Sequence, residues 1–248
     1  MLFSSGWTLA TALLDKRGTR IRRMFGTIAP SYDLLNHLFS ANIDHYWRWR
    51  TTRLVPPAGA APVLDLCTGT GDLALAYDRA AGGRVPIVGA DFCHEMIALA
   101  EQKTRRRRAA GRIRYLEADA QRLPFPDGAF QITTVAFGLR NVADTDRGLA
   151  EMVRVTRPGG KVAILEFSRP RGRLFGRLYR LYLHYVMPFV GQAVSRNKDN
   201  AYPYLAASVL EFPDGEALAE RLRRHGLHQV RYHPLTFGIA TLYVGTKP

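Results

Sequence analysis

Cysteine is nearly absent from this chain of 248 residues, which contains only Cys67 and Cys93. Two cysteines exclude a disulfide framework and a four-cysteine zinc site, and they suit a reducing compartment. The seven histidines show no spacing that is typical of a metal site. We therefore expect a cytoplasmic protein without a bound metal.

The sequence also lacks a long hydrophobic run, since no window approaches the roughly 18 apolar residues of a transmembrane helix. Residues 1–14 are mildly apolar, but the positive charges of 16–23 follow that stretch, and a secretory signal has the opposite order. Any membrane contact is therefore expected to be peripheral, on the inner face of the membrane.

Acidic residues are in the minority, with 21 Asp and Glu against 35 Lys and Arg, which gives a net charge of +14. The basic residues cluster at 16–23, 103–108, 169–180 and 221–224. Such clusters attract nucleic acid or an anionic lipid leaflet, and they are also typical of solvated helix faces. Charge alone does not select the partner.

Apolar runs alternate with helical patterns, which predicts βαβ units and a parallel sheet. A helix is predicted at 95–110 after the second strand, and a turn is predicted at 158–160 before the fifth strand. Further along the chain, Asp214 is predicted to cap a helix that Gly226 ends. The sequence thus predicts an α/β fold with a doubly wound, mostly parallel, seven-stranded, Rossmann-like sheet. The predicted strands are 62–66, 85–90, 113–118, 130–136, 161–167, 229–233 and 239–245.

Two aromatic, basic and helical segments fall outside this alternation, at 1–50 and 170–212. Ligands of such sheets bind beyond the carboxyl ends of the strands, so insertions over that edge are candidates for substrate recognition. We predict an N-terminal cover at 1–50 and a ligand-binding α/β domain at 51–248 that carries the second segment as an insertion.

The turn after the first predicted strand has the composition of a cofactor site. Gly69 and Gly71 allow a ligand to approach the backbone closely. Asp91, 20 positions after Gly71, suits a ribose diol. Asp65 would repel a pyrophosphate but attract the ammonium group of a methionine moiety, which favours S-adenosylmethionine over NAD. The predicted cofactor-binding residues are Asp65, Thr68, Gly69, Gly71, Asp91, Phe92, Asp119 and Ala120.

Within this set, Asp119 follows the third strand and could accept a hydrogen bond from an adenine amino group, while Phe92 offers a stacking surface. The alternative is that Asp119 is simply a turn residue.

These segments resemble the class I S-adenosylmethionine-dependent methyltransferases. The shared motifs are Asp65-x-x-x-Gly69-Thr70-Gly71-Asp72, Ala90-Asp91, Asp119-Ala120 with Leu123-Pro124-Phe125, and Arg157-Pro158-Gly159-Gly160. Over 25–245, the chain more narrowly resembles the menaquinone/ubiquinone biosynthesis C-methyltransferases. The narrower motifs are 32–36, 40–47, the string Phe137-Gly138-Leu139-Arg140-Asn141-Val142, 165–168, and Tyr202-x-Tyr204-Leu205.

The chain departs from this family's pattern at a few positions. Cys67 stands where the superfamily has a glycine, and we expect it to pack rather than to act in catalysis. Gln131 replaces a common aspartate. Asn42 and Asp44 stand where the family usually has Gly and His. The last two bear on the choice of substrate more than on the type of reaction.

The resemblance implies transfer of the sulfonium methyl group to a ring carbon of a prenylated quinol. It assigns Arg140 to stabilising the phenolate or orienting a water, and Asn141 to orienting by hydrogen bonding. The alternative for Arg140 is a structural salt bridge with Asp144 or Asp33. Residues that could shape the substrate pocket, or belong simply to the core, are Tyr32, Asp33, Asn36, Tyr202 and Tyr204.

Other functions remain open. A soluble aromatic acceptor would need the same cofactor site, whereas a prenyl tail also demands an apolar groove. Residues 174–190 could form an amphipathic helix on an anionic membrane or pack on the sheet. The chain after the fourth strand lacks the Asn/Asp-Pro-Pro-aromatic element of amino-methylating enzymes, so no nucleic acid is expected. The oligomeric state, a homo-oligomer included, is left open.

Overall fold

The structure is a computed structural model that describes residues 16–170 and 201–248, with the backbone alone at 201–203. Between these ranges it describes Gly172, Gly176, Arg177, Tyr179 and Leu181. The start of the predicted cover, most of the predicted insertion and the side chain of Tyr202 lie outside the described residues. So does most of the amphipathic segment predicted at 174–190.

Two helices precede the first strand, and further helices alternate with the strands. A short 3-10 helix at Leu139–Asn141 follows the fourth strand, and another lies at Thr236–Gly238. The α-helices are α1 (Gly18–Phe39), α2 (Ile43–Leu54), α3 (Asp72–Ala80), α4 (His94–Arg106), α5 (Thr145–Val155), α6 (Ala201–Glu211) and α7 (Glu216–Arg224).

Seven strands form a single sheet. They are β1 (Val63–Leu66), β2 (Ile87–Asp91), β3 (Ile113–Glu117), β4 (Phe130–Ala136), β5 (Thr156–Phe167), β6 (His228–Leu235) and β7 (Ala240–Thr246).

The order of the strands is β3-β2-β1-β4-β5-β7-β6. The first five strands pair in parallel, and β7 pairs antiparallel with both β5 and β6. The chain winds outward from β1 to β3 and then returns to β4, so β1 and β4 flank the point where the winding direction reverses. Ligands of doubly wound sheets bind beyond the carboxyl ends of the strands at this point.

Both faces of the sheet are buried, because side chains of a strand alternate between its two faces. On one face Val63, Ile87 and Ile132 pack with α3 and with Trp47 of α2. On the other face Leu64 and Val135 pack with α5 and α7. The two layers of helices explain why the strands read as nearly continuous apolar runs.

The structure confirms the predicted fold class and corrects several local predictions. Asp214 does not cap α7: the N-cap is Gly215, and the Asp214 carboxylate instead binds the Arg169 guanidinium at 2.9 Å. Helix α4 ends at Arg106 rather than near residue 110. The predicted turn at 158–160 lies within β5, where the pairing with β4 shifts register.

Within the described ranges, no helix combines the length and the apolar character that crossing a bilayer requires.

Candidate active site

One face of α1 lines two neighbouring cavities at the carboxyl edge of the sheet. Ile21 and Phe25 line the first, which we call the cofactor groove, and Asn36 and Phe39 line the second, which we call the substrate cavity. Tyr32 lies between these pairs and lines both cavities. The spacing of these residues is that of a single helical stripe.

The cofactor groove brings together residues from the ends of three adjacent strands. Its lining includes six groups, of which five were predicted from the sequence and one, Cys67, was expected only to pack. They are Cys67, Gly69, Asp91, Phe92, Asp119 and Ala120.

The glycine turn gives the backbone access to this groove. Gly69 has φ +54° and Gly71 has φ +84°, both in the left-handed region that favours glycine. A Cβ at Gly71 would lie 2.4 Å from the Tyr115 hydroxyl, so the turn packs tightly beneath α3. Asp65, Thr68 and Gly71, the other three predicted residues, do not line the groove and lie behind its loop.

Asp91 connects the two loops that border the groove. One carboxylate oxygen accepts a hydrogen bond from the Gly69 amide and the other accepts one from the Cys93 amide, both at 2.9 Å. Burial raises the pKa of Asp91 to about 6. Each oxygen retains a lone pair, so this carboxylate can still accept hydrogen bonds from a ribose diol.

Asp65 lies under the glycine turn and is 1% exposed. The Thr68 hydroxyl donates to one carboxylate oxygen at 2.6 Å, while the other oxygen is buried without a partner in the described part of the chain. Burial raises the pKa of Asp65 to about 7. A buried carboxylate oxygen without a donor fits a cationic ligand such as an ammonium group.

Asp119 has the geometry of a turn residue and also lines the cofactor groove, and its contact with adenine stays a prediction. Its carboxylate accepts hydrogen bonds from the Gln121 amide at 2.9 Å and from the Gln121 side chain, which is the geometry of a turn. It also lines the cofactor groove.

The substrate cavity has a volume of about 360 Å³ and is mainly apolar. Most of its walls were not predicted, because they come from elements that are far apart in the sequence. The unpredicted lining includes Phe39, Asp44, Trp47, Arg48, Phe137, Phe167, Tyr179, Leu205, Val209 and Ile239. Phe137 also lines the cofactor groove, so Phe137 and Tyr32 form the boundary between the two cavities.

Arg140 lines the substrate cavity and makes a buried ion pair with Glu166 at 3.0 Å. The side chains are 5% and 1% exposed. The guanidinium also donates to the Phe137 carbonyl and, through Nε, to the Ser208 hydroxyl at 3.3 Å. The salt-bridge alternative therefore holds in a different form, with Glu166 as the partner instead of Asp144 or Asp33.

Asn141, the next residue, lines the cofactor groove instead. Its side-chain oxygen accepts a hydrogen bond from the Tyr204 hydroxyl at 3.2 Å. Tyr204 is fully buried, so it supports Asn141 from the core. Arg140 and Asn141, which are adjacent in one 3-10 helix, thus line different cavities.

Asp44 and Arg48 form a charged patch in the wall of the substrate cavity. Asp44 accepts hydrogen bonds from Ser40 at 2.7 Å and from Arg48 at 2.5 Å. His37 contributes a further contact at 3.0 Å. Burial alone would raise the pKa of Asp44, but these three neighbours hold it below its ordinary value.

His37, Asp44 and His45 are close enough to share a metal ion, with potential ligand atoms within 4.8 Å of one another. The Arg48 guanidinium already neutralises Asp44, which disfavours a second cation there. The absence of a metal stays a prediction.

Asp33 lies behind the glycine turn, outside the lining of both cavities. It accepts a hydrogen bond from Thr70 at 2.6 Å and pairs with Lys103 at 2.5 Å. Lys103 also contacts Asp72 at 2.8 Å. This network attaches α1 to the start of α3 and so positions the loop that borders the groove.

Two departures from the expected motif have a structural explanation. Asn42 has φ +62°, a conformation that glycine adopts freely and asparagine tolerates better than most residues. The Gln131 side chain accepts from the Ala58 amide at 2.7 Å and donates to the Ala61 carbonyl, which holds the loop before β1.

Comparison with known sequences gives consistent matches over nearly the whole chain. The profile of the ubiE/COQ5 methyltransferase family matches residues 13–247. A ubiquinone/menaquinone biosynthesis C-methyltransferase UbiE of Geobacter sp. (strain M21) is 47% identical over 234 residues, covering 94% of this chain and 99% of the relative. A demethylmenaquinone methyltransferase of Thermus thermophilus is 48% identical over 225 residues, covering 91% and 100%.

Solved structures with low sequence identity share the fold. A SAM-dependent methyltransferase of Thermotoga maritima has a TM-score of 0.63 at 18% identity, with 91% of this chain and 99% of that chain covered. Phosphoethanolamine N-methyltransferase 2 of Haemonchus contortus, solved with S-adenosyl-L-methionine, has a TM-score of 0.58 at 15% identity, covering 79% and 51%.

Proposed function

Because the chain belongs to the ubiE/COQ5 methyltransferase family, we propose that it transfers the methyl group of S-adenosylmethionine to a ring carbon of a prenylated quinol. The observation that carries this proposal is the junction at Tyr32 and Phe137, where a groove lined by the carboxylates of Asp91 and Asp119 meets an apolar cavity. A transferase needs this arrangement, because its two substrates must meet at one point.

Residues in the groove, with Asp65 beneath it, fit the proposed cofactor. The unpartnered oxygen of Asp65 suits an ammonium group, and Asp91 suits the ribose hydroxyls. We assign Phe92 and Asp119 to contacts with adenine, and Gly69 permits close approach of the backbone. When bound, S-adenosylmethionine supplies an electrophilic methyl group on a sulfonium.

The substrate cavity suits a prenylated ring. Apolar and aromatic side chains make up most of its lining, with Arg140, Arg48 and Asp44 among its few charged groups. Such a site can bury an isoprenoid tail while a small number of polar groups orient the ring hydroxyls. A soluble aromatic acceptor would have no use for so apolar an extension.

We assign Arg140 to stabilising the quinol oxyanion. A quinol ring carbon becomes a good nucleophile once a neighbouring hydroxyl loses its proton, so the site must stabilise the resulting negative charge. The hydrogen bonds described for the guanidinium involve Nε and Nη1, and Arg140 lines the cavity, so Nη2 is the nitrogen we assign to the substrate. Glu166 is the positioning residue that holds this orientation.

Tyr32 and Asn141 are assigned to orienting groups at the junction. Burial raises the pKa of Tyr32, so its phenol remains a neutral hydrogen-bond donor at physiological pH. Asn141 is held by Tyr204 at the edge of the groove. Both side chains can align the ring with the methyl group without changing charge.

Because the substrate is prenylated, we place the reaction at the surface of an anionic membrane. The net charge of +14 supports this placement, since basic proteins accumulate at anionic leaflets.

The test is incubation of the purified protein with methyl-labelled S-adenosylmethionine and reduced demethylmenaquinol in detergent. A demethoxyubiquinol-type acceptor, a soluble catechol and bulk RNA are run in parallel, and mass spectrometry identifies the products. We expect label on a quinol ring carbon. Label on the catechol or RNA alone would overturn the substrate assignment, whereas cofactor binding without any product would leave only the cofactor site standing.

A further inference from the structure

Among the described residues, most of the exposed large apolar side chains lie on α1 and α2, two helices that line the substrate cavity. The described residues include seven large apolar side chains that are exposed. Five of them, Leu34, Leu38, Ile43, Tyr46 and Trp49, lie on α1 and α2 on either side of the turn between these helices. We call these five residues the hairpin surface.

Of the remaining two, Leu181 lies two residues after Tyr179, which lines the cavity, whereas Phe237 lines a different cavity with Tyr232 and Thr241. Large apolar side chains scattered over a surface need no explanation, but a group gathered around one opening indicates an interaction site.

The substrate cavity reaches the surface at the hairpin turn. Ala41 and Ile43 line the cavity and are themselves exposed. A ligand that enters beside these residues therefore passes directly along the hairpin surface.

A basic groove adjoins the hairpin surface on the side of α2. Trp49 and His45 line it together with Arg53, Arg79 and Arg107. Among the described residues, these three arginines make no ion pair, unlike Arg112 in the same groove, which binds Asp78 at 2.8 Å. The hairpin surface thus has exposed aromatic and aliphatic groups beside uncompensated positive charge.

We propose that the hairpin surface docks on an anionic lipid leaflet and presents the mouth of the substrate cavity to the bilayer. Aliphatic side chains enter the acyl boundary, tyrosine and tryptophan suit the interface, and arginines attract anionic headgroups. A second copy of this chain fits less well, because two such surfaces of like charge repel each other. This inference rests on the proposed function, since docking on a bilayer gives the cavity access to a prenylated substrate held there.

The experiment measures flotation of the protein with vesicles of phosphatidylcholine mixed with phosphatidylglycerol, and with vesicles of phosphatidylcholine alone. The variant Leu38→Gln/Trp49→Gln removes apolar contacts at exposed positions, where loss of folding is not expected. We expect wild-type protein to bind the anionic vesicles and this variant to bind about tenfold more weakly. Equal binding of the two proteins overturns the proposal, as does a wild-type protein that does not float.

A matched pair of variants tests the charge. Arg53→Gln/Arg107→Gln removes two exposed arginines of the basic groove, and Arg147→Gln/Arg224→Gln removes two exposed arginines from α5 and α7, on the opposite face of the sheet. Both pairs lower the net charge equally. We expect about a thirtyfold loss of vesicle binding for the first pair and little change for the second. Equal losses would show that net charge alone drives binding and would overturn the proposed face.

Turnover on detergent-dispersed quinol separates this inference from the proposed function. We expect Leu38→Gln/Trp49→Gln to retain wild-type turnover in detergent and to lose turnover on quinol embedded in anionic vesicles. If no protein turns over quinol in either format, the proposed function fails, and flotation still decides the docking surface. If Leu38→Gln/Trp49→Gln instead lowers the mass in light scattering and vesicle binding is unchanged, the surface is a self-association face and the proposal is overturned.

Discussion

At Asp65 and Asp91 we expect the cofactor groove to lower the stability of the ligand-free protein. Both carboxyls are buried, and their pKa values of about 7 and about 6 lie above the ordinary 3.8. A carboxyl whose pKa is raised in the fold stabilises the protein at low pH and destabilises it as pH rises toward that pKa. Near neutral pH, ionisation of these two carboxyls should therefore lower the free energy of unfolding of the ligand-free protein, and a bound cationic ligand should raise it again.

Replacement of the buried acid tests this trade-off. Asp65→Asn keeps an acceptor for the Thr68 hydroxyl and removes the charge. We expect the melting temperature of the ligand-free protein to rise by about 2 to 6 °C at neutral pH. We expect affinity for S-adenosylmethionine to fall by about tenfold to a hundredfold, as measured by calorimetry.

The matched control is Asp78→Asn. Asp78 is equally buried but is neutralised by Arg112, so its replacement should lower the melting temperature and leave cofactor affinity unchanged. A lower melting temperature for Asp65→Asn would contradict the proposed strain.

Cofactor affinity should depend on pH through the same two carboxyls. A cationic ligand binds the ionised carboxylates, so protons compete with it as pH falls through about 7 and then about 6. We expect binding to be at least about tenfold weaker near pH 5.5 than near pH 7.5. Asp65→Asn should flatten the upper part of this profile, and a flat wild-type profile would contradict the assignment.

Arg140 needs a test that separates its salt bridge from its proposed role toward substrate. Arg140→Ala should lower kcat by about a hundredfold, the effect of losing one oxyanion donor. It also leaves Glu166 buried and unpaired, at a cost of about 3 to 5 kcal/mol. The double variant Arg140→Ala/Glu166→Gln removes that penalty, so we expect it to recover stability while kcat stays low. Recovery of kcat with stability would assign Arg140 a structural role alone.

At the scale of elements, the turn between α1 and α2 stores strain at Ala41 and Asn42, with φ of +49° and +62°. Alanine in this region is disfavoured by about 1 kcal/mol relative to glycine. Ala41→Gly should therefore raise the free energy of unfolding by about 1 kcal/mol, as measured by urea denaturation. In the exposed interior of α4, Ala98→Gly should lower it by a similar amount. Effects of the same sign would contradict this explanation.

The strands were predictable because local apolar runs are buried on both sides of a parallel sheet. Residues 130–136 match β4 at both ends, and the motif of 65–72 fell on β1 and the turn after it. Helix ends were predicted less well. The arginines that follow α4 are good helix formers and give no stop signal, yet Arg108 turns at φ +56° so that Ile113 can pair with Ile87.

At the scale of the whole molecule, local and distant contacts explain which parts of the site were predictable. The cofactor groove is lined by residues at the ends of consecutive strands, so motifs within short segments of the sequence predicted much of its lining. The substrate cavity joins α1, α2, β5 and α6, and no local pattern predicts that assembly. Glu166 illustrates the difference, because it lay within a resemblance motif yet its partner Arg140 is 26 residues away. The capping role predicted for Asp214 was wrong for the same reason, since Arg169 is a tertiary partner.

The positive charge of the molecule should make vesicle binding sensitive to salt. The screening length falls from about 10 Å at 0.1 M salt to about 3 Å at 1 M. We expect flotation with anionic vesicles to decrease steeply over this range, while turnover on detergent-dispersed quinol changes little. Salt-independent flotation would mean that the apolar residues act without the arginines.

Helix α1 separates the openings of the two cavities. Gly18, at its first turn, lines the cofactor groove, and Phe39, at its end, lines the substrate cavity. A helix of 22 residues spans about 33 Å. With the hairpin surface docked as proposed, the nucleoside product would exchange with water at one end while the other end stays engaged with lipid. The enzyme would then work along a two-dimensional surface through successive turnovers, and its rate would follow the mole fraction of quinol in the bilayer, not the bulk concentration.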